Sequence, residues 1–136
     1  MYKRQIAYVI DTSGSCWDRI DEFTAEADAI AADIEPEKVI LIQIDHEVQR
    51  VDVLDKGQRI ADIEDFKVEG SGGTRFLPAF QYLEEHHPDV EAVAYLTDLE
   101  SNDTAECEGV IAAPVLWVST TKEEAPFGQT IYMQPS

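Results

Sequence analysis

The chain is poor in cysteine, in basic residues and in long apolar runs, and each shortage removes a class of protein. Only Cys16 and Cys107 occur in 136 residues. That is no disulfide framework of the kind that staples small secreted domains, and a reducing, cytoplasmic compartment is expected. Ten Lys and Arg face 28 Asp and Glu, a formal net charge of -18. A surface of that sign repels phosphate backbones, so nucleic acid is not an expected partner. Solubility is the first explanation for the acid; adaptation to high salt and affinity for cations are the alternatives. The apolar runs reach about five to eight residues where a membrane-spanning helix needs roughly 20, so no span is expected. Met1-Tyr2-Lys3-Arg4-Gln5 leads into a strand-like run with no small-residue cleavage site, so no signal peptide is expected.

What is present suffices for a core. Hydrophobic residues make up 44% of the chain, and its length suits one domain, residues 1–136. Residues 5–10 read as a buried strand. Trp17, Ile20, Phe23, Ala27, Ile30, Ala31 and Ile34 recur at spacings of three and four, one face of a helix that Pro36 stops. Asp18, Asp21 and Glu22 complement its dipole in the first turns. A second buried strand spans 39–44 and ends at Asp45. Val48, Val51 and Val53 alternate with polar residues, the pattern of an exposed edge strand. Residues 55–69 read as a short helical turn or a strand end. Gly70-Ser71-Gly72-Gly73-Thr74 is a loop. A helix over about 76–87 follows, with Pro78 in its first turn and Leu77, Phe80 and Leu83 on its apolar face. Val90 to Leu96 is a further strand, ending Thr97-Asp98. Residues 99–113 read as a polar loop with one irregular turn, and 115–118 as the last strand. The tail holds Pro126-Phe127-Gly128 and a short apolar piece, Ile131-Tyr132-Met133.

Strands that alternate with helices predict an α/β fold: a three-layer, Rossmann-like sandwich with a mostly parallel central sheet and helices on both faces. The expected strand order is 3-2-1-4-5. Its switch point lies between the first strand and the one at 90–97, where ligands bind at carboxyl ends. Three oxygen-bearing segments fall there. Asp11, Ser13 and Ser15 follow the first strand, Thr74 follows the glycine loop, and Asp98 follows the strand at 90–97. Two carboxylates and three hydroxyls suit a hard divalent cation, Mg²⁺ first and Mn²⁺ second, that keeps a position open for a partner's carboxylate.

In this order, Asp11-Thr12-Ser13-Gly14-Ser15, Gly72-Gly73-Thr74 and Thr97-Asp98 resemble the metal-ion-dependent adhesion site of von Willebrand factor type A (VWA) domains. The likeness extends over nearly the whole chain. A narrower resemblance rests on Ile44-Asp45-His46-Glu47-Val48, Pro114-Val115-Leu116-Trp117-Val118 and Pro126-Phe127-Gly128. These look like the C-terminal VWA-like domain of bacterial metallopeptidase-related proteins, phage versions included. That resemblance implies a protein partner, with a MoxR-type AAA+ ATPase as a candidate. The zinc-peptidase-like H-E-x-x-H of those proteins is absent from this sequence, so the chain is either their C-terminal piece or a stand-alone domain. Two positions depart from the pattern. Arg75 stands where an acidic residue is common after the loop threonine, and Leu99 where glycine is common after the last aspartate.

Other readings compete. Asp11, Ser13 and Ser15 taken alone are equally a helix cap, and Thr74 is a possible cap for the helix near Phe76. Asp11 as a phosphoryl-accepting nucleophile would make a metal-dependent hydrolase or phosphatase. No lysine sits at a well-defined place to assist it, so an enzyme is not expected. A metal-free interaction domain is the third reading. Asp45 reads as a turn residue or one supporting the site. His46, His86 and His87 lack zinc spacing, and imidazolium at His86-His87-Pro88 suits a helix end. Cys16 and Trp17 read as packing residues, Glu84-Glu85 as a solvated face.

Overall fold

The computed structural model describes residues 5–12, 37–55, 75–99, 104–111, 113–119 and 124–132, with 22, 23, 25, 26 and 29. Six strands form one sheet. They are β1 (Gln5–Asp11), β2 (Lys38–Ile44), β3 (Val48–Asp55), β4 (Ala92–Thr97), β5 (Val115–Ser119) and β6 (Gln129–Tyr132). The spatial order is β3-β2-β1-β4-β5-β6. Only the β2–β3 pairing is antiparallel. The expected order therefore holds, extended by a sixth strand from the tail piece around Ile131. The chain enters at the centre of the sheet, builds outward to β3, then crosses β1 to build the other half. The switch point lies between β1 and β4.

β1 and β2 are fully buried past their first residues, which is why each reads as an unbroken run of branched aliphatic residues. Alternate side chains feed two cores. Ala7, Val9, Ile40, Ile42, Val93 and Tyr95 pack on one face; Ile6, Tyr8, Ile10, Val39, Leu41 and Leu96 pack on the other. The helix Leu77–His86 covers the first face with Ala79, Phe80 and Leu83. Phe23, one of the described helical residues of the predicted first helix, is buried in the second. Most of that helix, all of 56–74 and Cys16 and Trp17 lie outside the described residues.

The helix Leu77–His86 has Phe76 at its N-cap with no side-chain cap; Thr74, the cap expected from the sequence, lies outside the described residues. Pro78 near the start needs no amide partner, and Phe76 is anchored instead by its ring on Tyr95 and Trp117. At the other end His87 is the C-cap, and its pKa is lowered by burial and then by the Lys38 charge. It is neutral there at pH 7, so the helix dipole gains no cation from it.

An aromatic group fixes the β4–β5 half of the sheet. Trp117 is fully buried, with Tyr95 stacked at 4.9 Å between centroids and Phe127 edge-on at 5.6 Å. Phe127 reaches it from the turn that starts β6. Gly128 follows with φ +71°, its α-carbon held against the Val115 carbonyl and the Trp117 indole. That close approach is how a short strand with mostly exposed side chains is seated at the sheet edge.

Candidate functional site

β1 ends at Asp11 and β4 at Thr97, in parallel register through Ile10 and Leu96. The residues just past a central parallel pair emerge at the carboxyl end of the sheet, at the switch point. Asp11 is 1% exposed and Asp98 is 5% exposed. Two carboxylates are thus buried at the ends of neighbouring strands, an arrangement tolerated only when charge is matched by partners or a cation.

Thr97 sets the geometry of Asp11. Its Oγ1 donates to Asp11 Oδ2 at 2.6 Å and accepts from the Leu99 amide at 3.1 Å. One buried hydroxyl therefore links the last residues of β1 and β4 and starts the turn that carries Asp98. This function was not anticipated from the sequence, where a threonine in an apolar strand reads as β propensity. Its position immediately before an aspartate at a strand end was the available signal. Thr97→Val keeps the shape and removes the donor. It should cost about 1–3 kcal/mol by leaving a buried carboxylate one partner short. A fall in the urea midpoint that Thr97→Ser restores would show this; a Val variant as stable as the parent would refute it.

Leu99 takes φ +62°, the left-handed region where glycine is the unstrained choice and other residues lose roughly 1–2 kcal/mol. The departure at this position therefore leaves the tight exit from β4 in place. The Leu99 side chain packs against the core on the helix-covered side of the sheet, which offsets the strain.

The end of β2 braces the site from the other side. Ile44 O accepts from both Thr12 N, at 2.7 Å, and Thr12 Oγ1, at 3.2 Å. Asp45 O accepts from Arg75 N at 2.9 Å. Two successive carbonyls thereby hold the residue after Asp11 and the residue after Thr74. Asp45 itself is buried, and its Oδ1 accepts from His46 N, Glu47 N and Gln49 Nε2. It is the residue that closes the β2–β3 turn.

Of the five residues expected to bind metal, Asp11 and Asp98 are placed together by β1 and β4. Ser13, Ser15 and Thr74 lie outside the described residues, though Thr12 and Arg75 beside them are held at the same end of the sheet. Among the described residues no three His, Cys, Asp or Glu side chains gather as a metal cluster. The donors in view are carboxylate and hydroxyl oxygens, of the type that suits Mg²⁺ rather than zinc. No helix among the described residues is long and apolar enough to cross a membrane.

Seven chains of solved structures match this fold. One is the crystal structure of the ArnB paralog VWA2 from Sulfolobus acidocaldarius, with a TM-score of 0.65 and 13% identity. The match covers 88% of this chain and 35% of that one, so this chain spans about a third of its length. No curated protein matches the sequence. The family model described as VWA-like domain (DUF2201) matches residues 6–134. VWA-like domains are in general modules for protein interaction, and the match takes in both ends of the sheet and every strand. The chain belongs to the VWA-like domain (DUF2201) family.

Proposed function

We propose that this domain binds a partner protein through a divalent cation. The observation that carries the reading is the pair of buried carboxylates, Asp11 and Asp98, at adjoining strand ends of the switch point, with the Thr97 hydroxyl orienting the first. Asp11, Ser13, Ser15, Thr74 and Asp98 would hold Mg²⁺, with Mn²⁺ as the substitute. Bound there, the cation supplies an open coordination position to a carboxylate of the partner. Neutral hydroxyls among the ligands leave the ion much of its charge, and the exposed Arg75 at the same end of the sheet adds a positive group toward an acidic partner. A AAA+ ATPase of the MoxR type in the cytoplasm is the candidate partner, by family resemblance alone.

The catalytic alternative is less well supported. A phosphoryl-accepting aspartate works with a second acid and a lysine nearby, and no lysine of the sequence stands at a well-defined place to assist Asp11.

Titration calorimetry with Mg²⁺ tests the reading. The parent protein should give a saturable heat and Asp11→Ala none, with far-ultraviolet circular dichroism unchanged. Equal heats from the two proteins would remove the metal site. A pull-down that is indifferent to Mg²⁺ would remove the latch, and turnover of a generic phosphate ester that vanishes in Asp11→Ala would favour the hydrolase.

A further inference from the structure

The turn after β2 is built more firmly than a connection between two strands requires. Asp45 is 3% exposed. One of its oxygens, Oδ1, receives His46 N at 2.6 Å, Glu47 N at 3.2 Å and Gln49 Nε2 at 2.9 Å, and lies 3.2 Å from His46 Nδ1. Its amide donates to Glu47 O at 3.1 Å, so both the backbone and the side chain of one residue close the turn. The outward result is a fixed pair of carbonyls. Ile44 O takes the amide and hydroxyl of Thr12, and Asp45 O takes the amide of Arg75. The contact to Thr12 spans 32 residues of sequence. Thr12 is the neighbour of Asp11, and Arg75 begins the chain leading into the helix Leu77–His86.

We infer that Asp45 is a positioning residue for the site: its carboxylate fixes the β2–β3 turn so that two successive carbonyls clamp the Thr12 and Arg75 segments together. The effect on cation binding rests on the function proposed above; the clamp itself does not. Asp45 acts through backbone, not by touching a ligand. The role needs an acceptor at Oδ1 and no charge. Asparagine supplies that acceptor and alanine does not.

Three variants, with a fourth in reserve, and two measurements decide the matter. Amide hydrogen exchange of Arg75, taken relative to the Val9 amide at the centre of the sheet, reads the clamp without any metal. Mg²⁺ calorimetry reads its consequence. Asp45→Ala should speed Arg75 exchange relative to Val9 by about tenfold and weaken Mg²⁺ binding by about as much, the scale on which supporting residues act on metal sites. Asp45→Asn should restore both. Leu54→Ala opens a cavity at the far end of the same β2–β3 ladder, opposite Val39. It should lower global stability while leaving the exchange ratio and the affinity unchanged. Should Asp45→Ala fail to fold, Gln49→Ala takes one of the three donors away and should still speed Arg75 exchange severalfold.

An unchanged ratio in Asp45→Ala, or in Gln49→Ala if that variant replaces it, overturns the clamp. An Asp45→Asn as defective as alanine overturns it too, because the charge would then be what matters. A parent protein that gives no heat with Mg²⁺ sinks the metal reading alone, and the exchange ratios still decide the role of Asp45.

Discussion

Asp11→Asn should melt higher than the parent protein in the absence of Mg²⁺ and lower in its presence. Without a cation, two carboxylates are held at adjoining strand ends with almost no exposure, and keeping charge out of water is costly. Asparagine removes one charge while its amide oxygen still accepts from Thr97 Oγ1. A gain of a few degrees is expected from this relief. With Mg²⁺ at a hundred times its dissociation constant, the parent gains about 2.7 kcal/mol, because the cation binds the folded state alone. For a domain of this size that corresponds to roughly 10 °C. The variant should not respond. The crossing of the two melting curves is the signature of a cation site, since a purely structural aspartate gives a loss under both conditions. Parallel responses to Mg²⁺ in parent and variant would falsify the assignment.

Gly128→Ala should be far more damaging than the same change at Gly109. A β-carbon there would lie 2.5 Å from the Val115 carbonyl and 3.3 Å from Trp117 Nε1, on a backbone at φ +71°. The first neighbour is backbone of a buried strand and cannot rotate away. β6 must therefore lift from β5, and Phe127 must leave the edge of the Trp117 ring. Left-handed strain costs roughly 1–2 kcal/mol, and the displaced aromatic contact brings the total to about 3 kcal/mol or more. Gly109 supplies the control. It has φ +81° and nothing within 4 Å of the added carbon, so Gly109→Ala should show the strain alone. Urea midpoints at constant slope measure both. Equal losses at the two positions would mean that the approach to Trp117 is unimportant.

These two positions differ in how far the sequence announced them. Asp11 and Asp98 stand out because a carboxylate directly after an apolar run marks a strand end, and the order of strands alone brings those ends together. β1, β2 and β4 were legible for the same reason: a strand buried on both faces has to be apolar throughout. β6 was not. Its side chains are mostly exposed, so Gln129-Thr130-Ile131-Tyr132 shows only a short apolar piece around Ile131, and its place depends on a glycine contact with a residue eleven positions earlier. Thr97 and Asp45 were legible as residue types but not as parts of a network, since a hydrogen bond across strands depends on register. The glycine common at the position of Leu99 hinted at a left-handed backbone, while the Thr97 bond and the core packing that accompany it depend on the folded arrangement. The hydroxyls of Ser13, Ser15 and Thr74 rest on sequence reasoning alone.

The bond between Thr97 and Asp11 joins residues 86 apart in the chain. Contacts of that separation form late, because a long loop must close before they reward it. The first two strands and the β2–β3 hairpin can assemble while Asp11 still faces no partner from β4. A cation site here would thus be a record of completed folding: it would come into being when the two halves of the sheet meet, and be lost as soon as they part. A bound ion would act on the rate of unfolding and leave the rate of folding almost untouched. The domain would offer its latch to a partner only from a finished molecule, so a nascent or half-opened chain presents the acidic segments without the grip.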